Sequence, residues 1–326
     1  MNSRRVLLTA IACCVLARAY AGARHAPTVL QPTSSKVLKV PAFGFFGSAR
    51  ADDDGNIFIH PAPYQEVNIL EIVPSSDDTV VYKLSDEQAR KYAFYDFSVT
   101  PAGKVWALVN ETGSPELLAI EFNSKGEAKN PVRLETSENI EATGFLALDS
   151  NVLFVAGNYT DKAVEAQRGR PFLAIFNTSG ELVKNLVSNA PSFGHVTVSG
   201  GELREGACTA ADDGNAYFLD KDSVVSISPV GDIGKRTHFV KPNPDLMAAG
   251  LYVSHGWAAI RFHKHNPDQT VEKNLLVIDL STGEVMGWYE GSADVGYSDV
   301  GFSPDEGFTF IANDHGKTKV VHAKFR

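Results

Sequence analysis

Four acidic residues stand near the starts of apolar runs in this chain of 326 residues: Asp96, Glu141, Glu205 and Asp299. Carboxylates drawn together from separate segments can hold a hard divalent cation such as calcium through oxygen ligands. Asp96, Glu205 and Asp299 are the metal-site candidates on that ground. Acids in such places also cap strand ends and accept bonds from backbone amides, and this is the commoner outcome. His263 and His265 flank Lys264, an alternate spacing that puts two imidazoles on one side of an extended chain. His60 closes another apolar run, and no third histidine completes a fixed ligand spacing. Arg168 and Arg170 fall in a polar stretch, where a planar guanidinium could match an anionic group. These three histidines and two arginines are the ligand-binding candidates. There is no Gly-x-Ser-x-Gly elbow and no phosphate-binding Gly-x-x-x-x-Gly-Lys loop. Cys208 sits in an apolar run, where a cysteine packs as a small apolar residue.

The elements that position these residues follow from internal repetition. Three segments share a strand, an acidic or polar turn and a second strand. They start at Ser48 (SARADDDGNIFI), Phe97 (FSVTPAGKVWAL) and Thr209 (TAADDGNAYFL). Weaker copies start at Leu146, Leu251 and Val300. Their turns fall at Gly55, Gly103, Ser150, Gly214, Gly256 and Gly307. Asp-Gly between alternating apolar strands is a hairpin signal, because both residues tolerate the positive φ of a tight turn. A second turn alternates with the first, at Gly126, Gly180, Gly231 and Gly283, and Pro74–Asp78 makes the equivalent turn in the first repeat. Both series recur at intervals of about fifty residues. Two hairpins per repeat mean four strands per repeat, the make-up of a propeller blade.

The ends of the chain agree with a closed ring. After the last Asp-Glu-Gly turn only two strands remain, the second of them 319–325, so the last blade lacks its fourth strand. The segment 36–40 stands ahead of the first repeat, and pairing it with 319–325 would complete that blade and remove open sheet edges. Two separate β-sandwiches, the other all-β solution at this length, would not leave complementary half-blades at the two ends. The expected architecture is therefore an all-β, six-bladed β-propeller over 36–326, after a leader at 1–23 and an extension at 24–35.

The Asp-Gly-Asn turns and Ser/Thr-x-Gly-Glu hairpins resemble those of the NHL-repeat and TolB-like superfamily of six-bladed propellers, over roughly residues 36–326. The resemblance implies architecture. That superfamily includes calcium-dependent lactonases, amidating lyases, strictosidine synthase-like enzymes and plain binding scaffolds, and fold alone does not choose among them.

Charge and the first residues bound the partners. With 39 acids against 30 basic residues the formal charge is −9, which repels phosphate backbones and argues against nucleic acid. Arg4 and Arg5, the apolar run Val6 to Ala17 and the small-x-small sites Ala19-Tyr20-Ala21 and Ala21-Gly22-Ala23 follow the plan of a secretory leader, with cleavage after Ala21 or Ala23. Cys13 is the position a lipid anchor would use, although no leucine stands three residues before it. Cys208 is the one cysteine past the leader, so no disulfide within the chain is expected. These features describe an exported monomer, secreted or periplasmic, with no transmembrane segment. It would bind a small molecule or a protein at the loop-bearing face of its channel, where the stretches 158–171 and 188–206 are longer than a blade needs. The alternative is a calcium-dependent hydrolase, lactonase or lyase working on the propeller axis.

Overall fold

Each repeat makes a four-stranded antiparallel sheet, and six such sheets stand around an axis in a computed structural model of the chain. The structure describes residues 27–39, 46–61, 66–136, 139–160, 171–186, 208–220, 222–243, 246–265, 271–291 and 298–324. The inner strands are Phe46–Ala51, Tyr92–Val99, Ile140–Leu148, Cys208–Ala210, Met247–Ser254 and Ser298–Ser303, in blades 1 to 6. Each adjoins the inner strands of both neighbouring blades, and the first adjoins the sixth. The one described helix, Asp86–Lys91, links blades 1 and 2 and starts with a Ser85–Gln88 capping box.

The second strand of each blade is apolar on both faces, because both faces meet another blade. Ile57 and Ile59 of blade 1 pack toward blade 6, while Phe58 between them packs toward blade 2. The core is accordingly six separate apolar layers, one in each seam. A fully buried side chain such as Phe58 or Phe176 contributes on the order of 2–3 kcal/mol to its seam.

The outer turns lock one blade to the next. In blade 2, Asn123 Oδ1 accepts from the amides of Lys125 and Glu127, at 2.9 and 3.0 Å, while its Nδ2 donates to Glu127. Asn177 repeats this geometry in blade 3 with Ser179 and Glu181. These side chains set the turns that place Gly126 against Val81 of blade 1 and Gly180 against Arg133 of blade 2. The Lys83 and Glu135 amides donate to the Gly126 and Gly180 carbonyls, at 3.3 and 2.8 Å. Gly231 meets Lys184 and Gly283 meets His238 in the next two seams. In blade 1, Asp77 takes the turn's positive φ and pairs with Lys36 on the outer strand of blade 6, at 3.0 Å.

The ring closes as the half-blades require, with Lys36 opposite Val320 and Val37 opposite Lys319. The closing strand, Pro32–Val37, starts four residues before the expected segment and reaches into the expected extension. Just ahead of it, Thr28–Leu30 adds a parallel fifth strand to blade 5. Blade 6 has no turn between its third and outer strands, because the two chain ends meet there. Thr28–Leu30 occupies the place such a turn takes in the other five seams. In blade 3 the first turn carries its positive φ at Asn151 instead of Ser150.

Candidate functional site

The inner strands are not straight ladders. In blades 1, 2, 3, 5 and 6 the register breaks once, leaving one extra residue on the inner strand. After the break come Ser48, Asp96, Gly144, Gly250 and Gly301. Two residues further on stand Arg50, Ser98, Leu146, Tyr252 and Ser303. Thr209, paired with Tyr217 as Ser98 is with Trp106, takes the same place in blade 4. All six line one cavity of 510 Å³ on the axis, one residue from each blade. The bulge shifts the side-chain alternation by one and so selects which residue faces the channel.

This ring holds one charge. Arg50 lies with its guanidinium over the Phe97 ring, 5.5 Å from the centroid, and 3.6 Å from Asp96. Among the described residues it makes one hydrogen bond, from Nη1 to the Ala49 carbonyl at 3.2 Å. The Asp96 carboxylate is buried and accepts from the Phe97 amide at 2.8 Å. Cys208 lines the cavity beside Thr209. Burial pushes its thiol up to about 12, with Asp96 adding and Arg50 opposing, so it is protonated and a poor nucleophile.

The first turns of the blades frame the mouth of this cavity, and they are acidic. Asp53 and Asp54 come from blade 1, Asp212 from blade 4, and Asp305 and Glu306 from blade 6. A second hollow of 400 Å³ shares Asp53, Asp54 and Asp212 and adds Asp149 of blade 3. Part of this charge is structural. Asp149 accepts from the Ala102 amide at 3.1 Å, and Asp212 from the His255 amide at 3.2 Å, each tying one blade's turn to a neighbour's. Asp52 is held by Asn56 within its own turn. Partial burial, then the Asp212 and Asp52 carboxylates, raise Asp53 above the usual carboxylate range, against a lowering by His255. Carboxylates from blades 1, 3 and 4 therefore converge on one opening.

The candidates from sequence are placed differently. Asp96, Glu141 and Asp299 do not share a level: by register Asp299 corresponds to Phe94, and Glu141 to Ala93. Asp96 is the first residue after the bulge of its blade, Asp299 the last before it and Glu141 one earlier, so they stand at different places along their strands. Asp96 is matched by an arginine, and Glu141 is exposed at its strand end. His60, expected as a ligand residue, is a core residue. It is buried against the Phe94 ring, centroids 4.1 Å apart, with Nε2 2.8 Å from the Glu66 carbonyl. Its strand ends inside the seam between blades 1 and 2, which gives the imidazole an apolar setting. His263 and His265 share the strand Trp257–His265, opposite Lys273 and Val271. Glu205, Arg168, Arg170 and Cys13 lie outside the described residues. Among the described residues no three His, Cys, Asp or Glu side chains come together to hold a metal ion, and no helix is long and apolar enough to cross a membrane.

Sequence reasoning missed Arg50 and the acidic mouth. The runs Asp52-Asp-Asp-Gly and Asp212-Asp-Gly read as turn chemistry alone. The usable signal was Arg50, the one charge among the six residues that the repeats place alike, just before the first turn.

Six antiparallel blades, an axial cavity and a ring closed by both chain ends define a six-bladed β-propeller. No protein-family model matches the chain, and no curated protein matches it. Solved structures share the fold. A luciferin-regenerating enzyme is similar with a TM-score of 0.54 at 8% identity, over 90% of this chain and 95% of that one. A protein of Bacteroides fragilis named "Putative exported protein" gives 0.57 at 11% identity, over 91% of this chain and 96% of that one. At such identities the likeness concerns the fold.

Proposed function

We propose that this protein is an exported binding scaffold that takes a small ligand into its axial channel through the mouth framed by the first turns. The observation that carries the reading is the 510 Å³ cavity lined by one inner-strand residue from every blade. Its size falls within the range of small-molecule sites, and its wall mixes hydroxyls, a leucine and an aromatic with one guanidinium. Buried Asp96 and protonated Cys208 offer no activated nucleophile or base, which favours binding over catalysis. The opening lies at the first-turn end of the inner strands, and 161–170 and 187–207, which hold most of the longer stretches that the sequence singled out, lie outside the described residues. Export rests on the charge, apolar run and small residues of 1–23.

The test is a thermal-shift and calorimetry screen of the chain from Arg24 onward. The panel covers zwitterions, cations, anions, neutral sugars and calcium. Binding by one organic class, lost in Thr209→Trp where the indole fills the channel, supports the scaffold. Calcium as the sole stabilising agent would replace it with the axial-metal alternative. A ligand that still binds Thr209→Trp places the site elsewhere.

A further inference from the structure

The two ends of the cavity differ in sign, and this deepens the channel reading, on which it rests. Inside, Arg50 is the single charge of the six-residue ring, and its planar fork keeps donors beyond the one bond to Ala49. At 3.6 Å, Asp96 offsets the charge without a hydrogen bond to the guanidinium. At the mouth, Asp53, Asp54, Asp305 and Glu306 stand exposed, with His255 the one basic side chain beside them among the lining residues. Tyr252 stands on the level of Arg50, and Leu251 and Phe302 line the wall one residue further from the mouth. We infer that the ligand is a short zwitterion, its carboxylate on Arg50, its ammonium at the acidic mouth and an apolar body against the Tyr252 ring. Arg50 and Asp53 are three residues apart, a span of at most about 10 Å, and the charged ends of a dipeptide are about 7 Å apart. A guanidinium matches a carboxylate bidentately, and an ammonium gains from both carboxylates and ring faces.

The probe is glycyl-phenylalanine, measured by calorimetry beside its N-acetyl form and its C-terminal amide. The free dipeptide should bind, and each blocked form should bind at least about tenfold more weakly, the loss expected for one charge-assisted contact. Arg50→Gln should erase the preference for the acid over the amide. Arg50→Lys, which keeps the charge and loses the fork, should retain part of it. Asp53→Asn should weaken the free dipeptide and leave the N-acetyl form unchanged. Equal binding of acid and amide to the unaltered protein overturns the inference without using a variant. So does discrimination that survives in Arg50→Gln, or failure of the dipeptide to bind. If another ligand class binds and Thr209→Trp abolishes it, the scaffold stands and the zwitterion falls. If the dipeptide binds Thr209→Trp unchanged, both fall.

Discussion

Gly180 of blade 3 lies so close to the end of blade 2's outer strand that a Cβ on it would overlap the carbonyl oxygen of Arg133. Its φ of 90° also belongs to the region that L-residues avoid. Gly126 repeats the relationship with Val81 at a φ of 82°. Gly55 has a similar φ of 78° with open space around it. Alanine at 126 or 180 should therefore cost about 3 kcal/mol or more in urea unfolding, and Gly55→Ala about 1 kcal/mol. Equal losses at all three would mean that strain alone, and not contact between blades, makes glycine necessary.

The strap Thr28–Leu30 should matter to the last seam. Leu30 is buried in one layer with Leu275, Tyr289 and Phe308, so Leu30→Ala should cost about 2–4 kcal/mol. A chain starting at Pro32 keeps the closing strand and should stay folded with a lower Tm. One starting at Lys39 opens the ring and should melt far lower, with early proteolysis of blade 6. Indistinguishable melting of both truncated chains and the full one would remove the strap from the account.

His60 predicts the response to acid. Burial holds its imidazole below the ordinary 6.5, and the bond to the Glu66 carbonyl only partly opposes this. The unfolded chain takes up the proton first, so the stability linked to His60 is full above about pH 6.5 and is lost as pH falls. The Tm should drop between pH 7 and 5, and His60→Gln should flatten that part of the profile.

Asp53 works in the other direction. Its raised pKa means that the folded state favours the protonated acid, so its ionisation costs stability as pH rises through the carboxylate range. Asp53→Asn should raise the Tm at pH 7 by about a degree or two, a small gain because the group is largely exposed. High salt should shrink the difference. A lower Tm in the variant would show that Asp53 makes a stabilising contact.

Much of the architecture was legible in the residues themselves. Turn chemistry is local: Asp-Gly and Ser/Thr-x-Gly-Glu set positive-φ hairpins wherever they occur, and their two interleaved series counted the blades and strands. Apolar runs such as Ile57–Ile59 marked strands buried on both faces. The half-blades at the two ends required 36–40 to pair with 319–325, and Lys36 and Val37 do so. These inferences depended on spacing along the chain, which sequence carries directly.

The site was decided by the tertiary structure, because it depends on where neighbouring strands break register. One extra residue on the inner strands turned Arg50 toward the channel, and Asp96 stands beyond that residue in its blade while Glu141 and Asp299 stand before it in theirs. Alternation alone could not show this, since a single bulge reverses the faces beyond it. The fate of His60 followed from blade 2 covering the end of its strand with Phe94. The acidic mouth formed because turns distant in sequence, at Asp53, Asp149 and Asp212, meet only when six blades close a ring. Local residue chemistry fixed the blades, and closure brought the charges of separate blades within reach of one another.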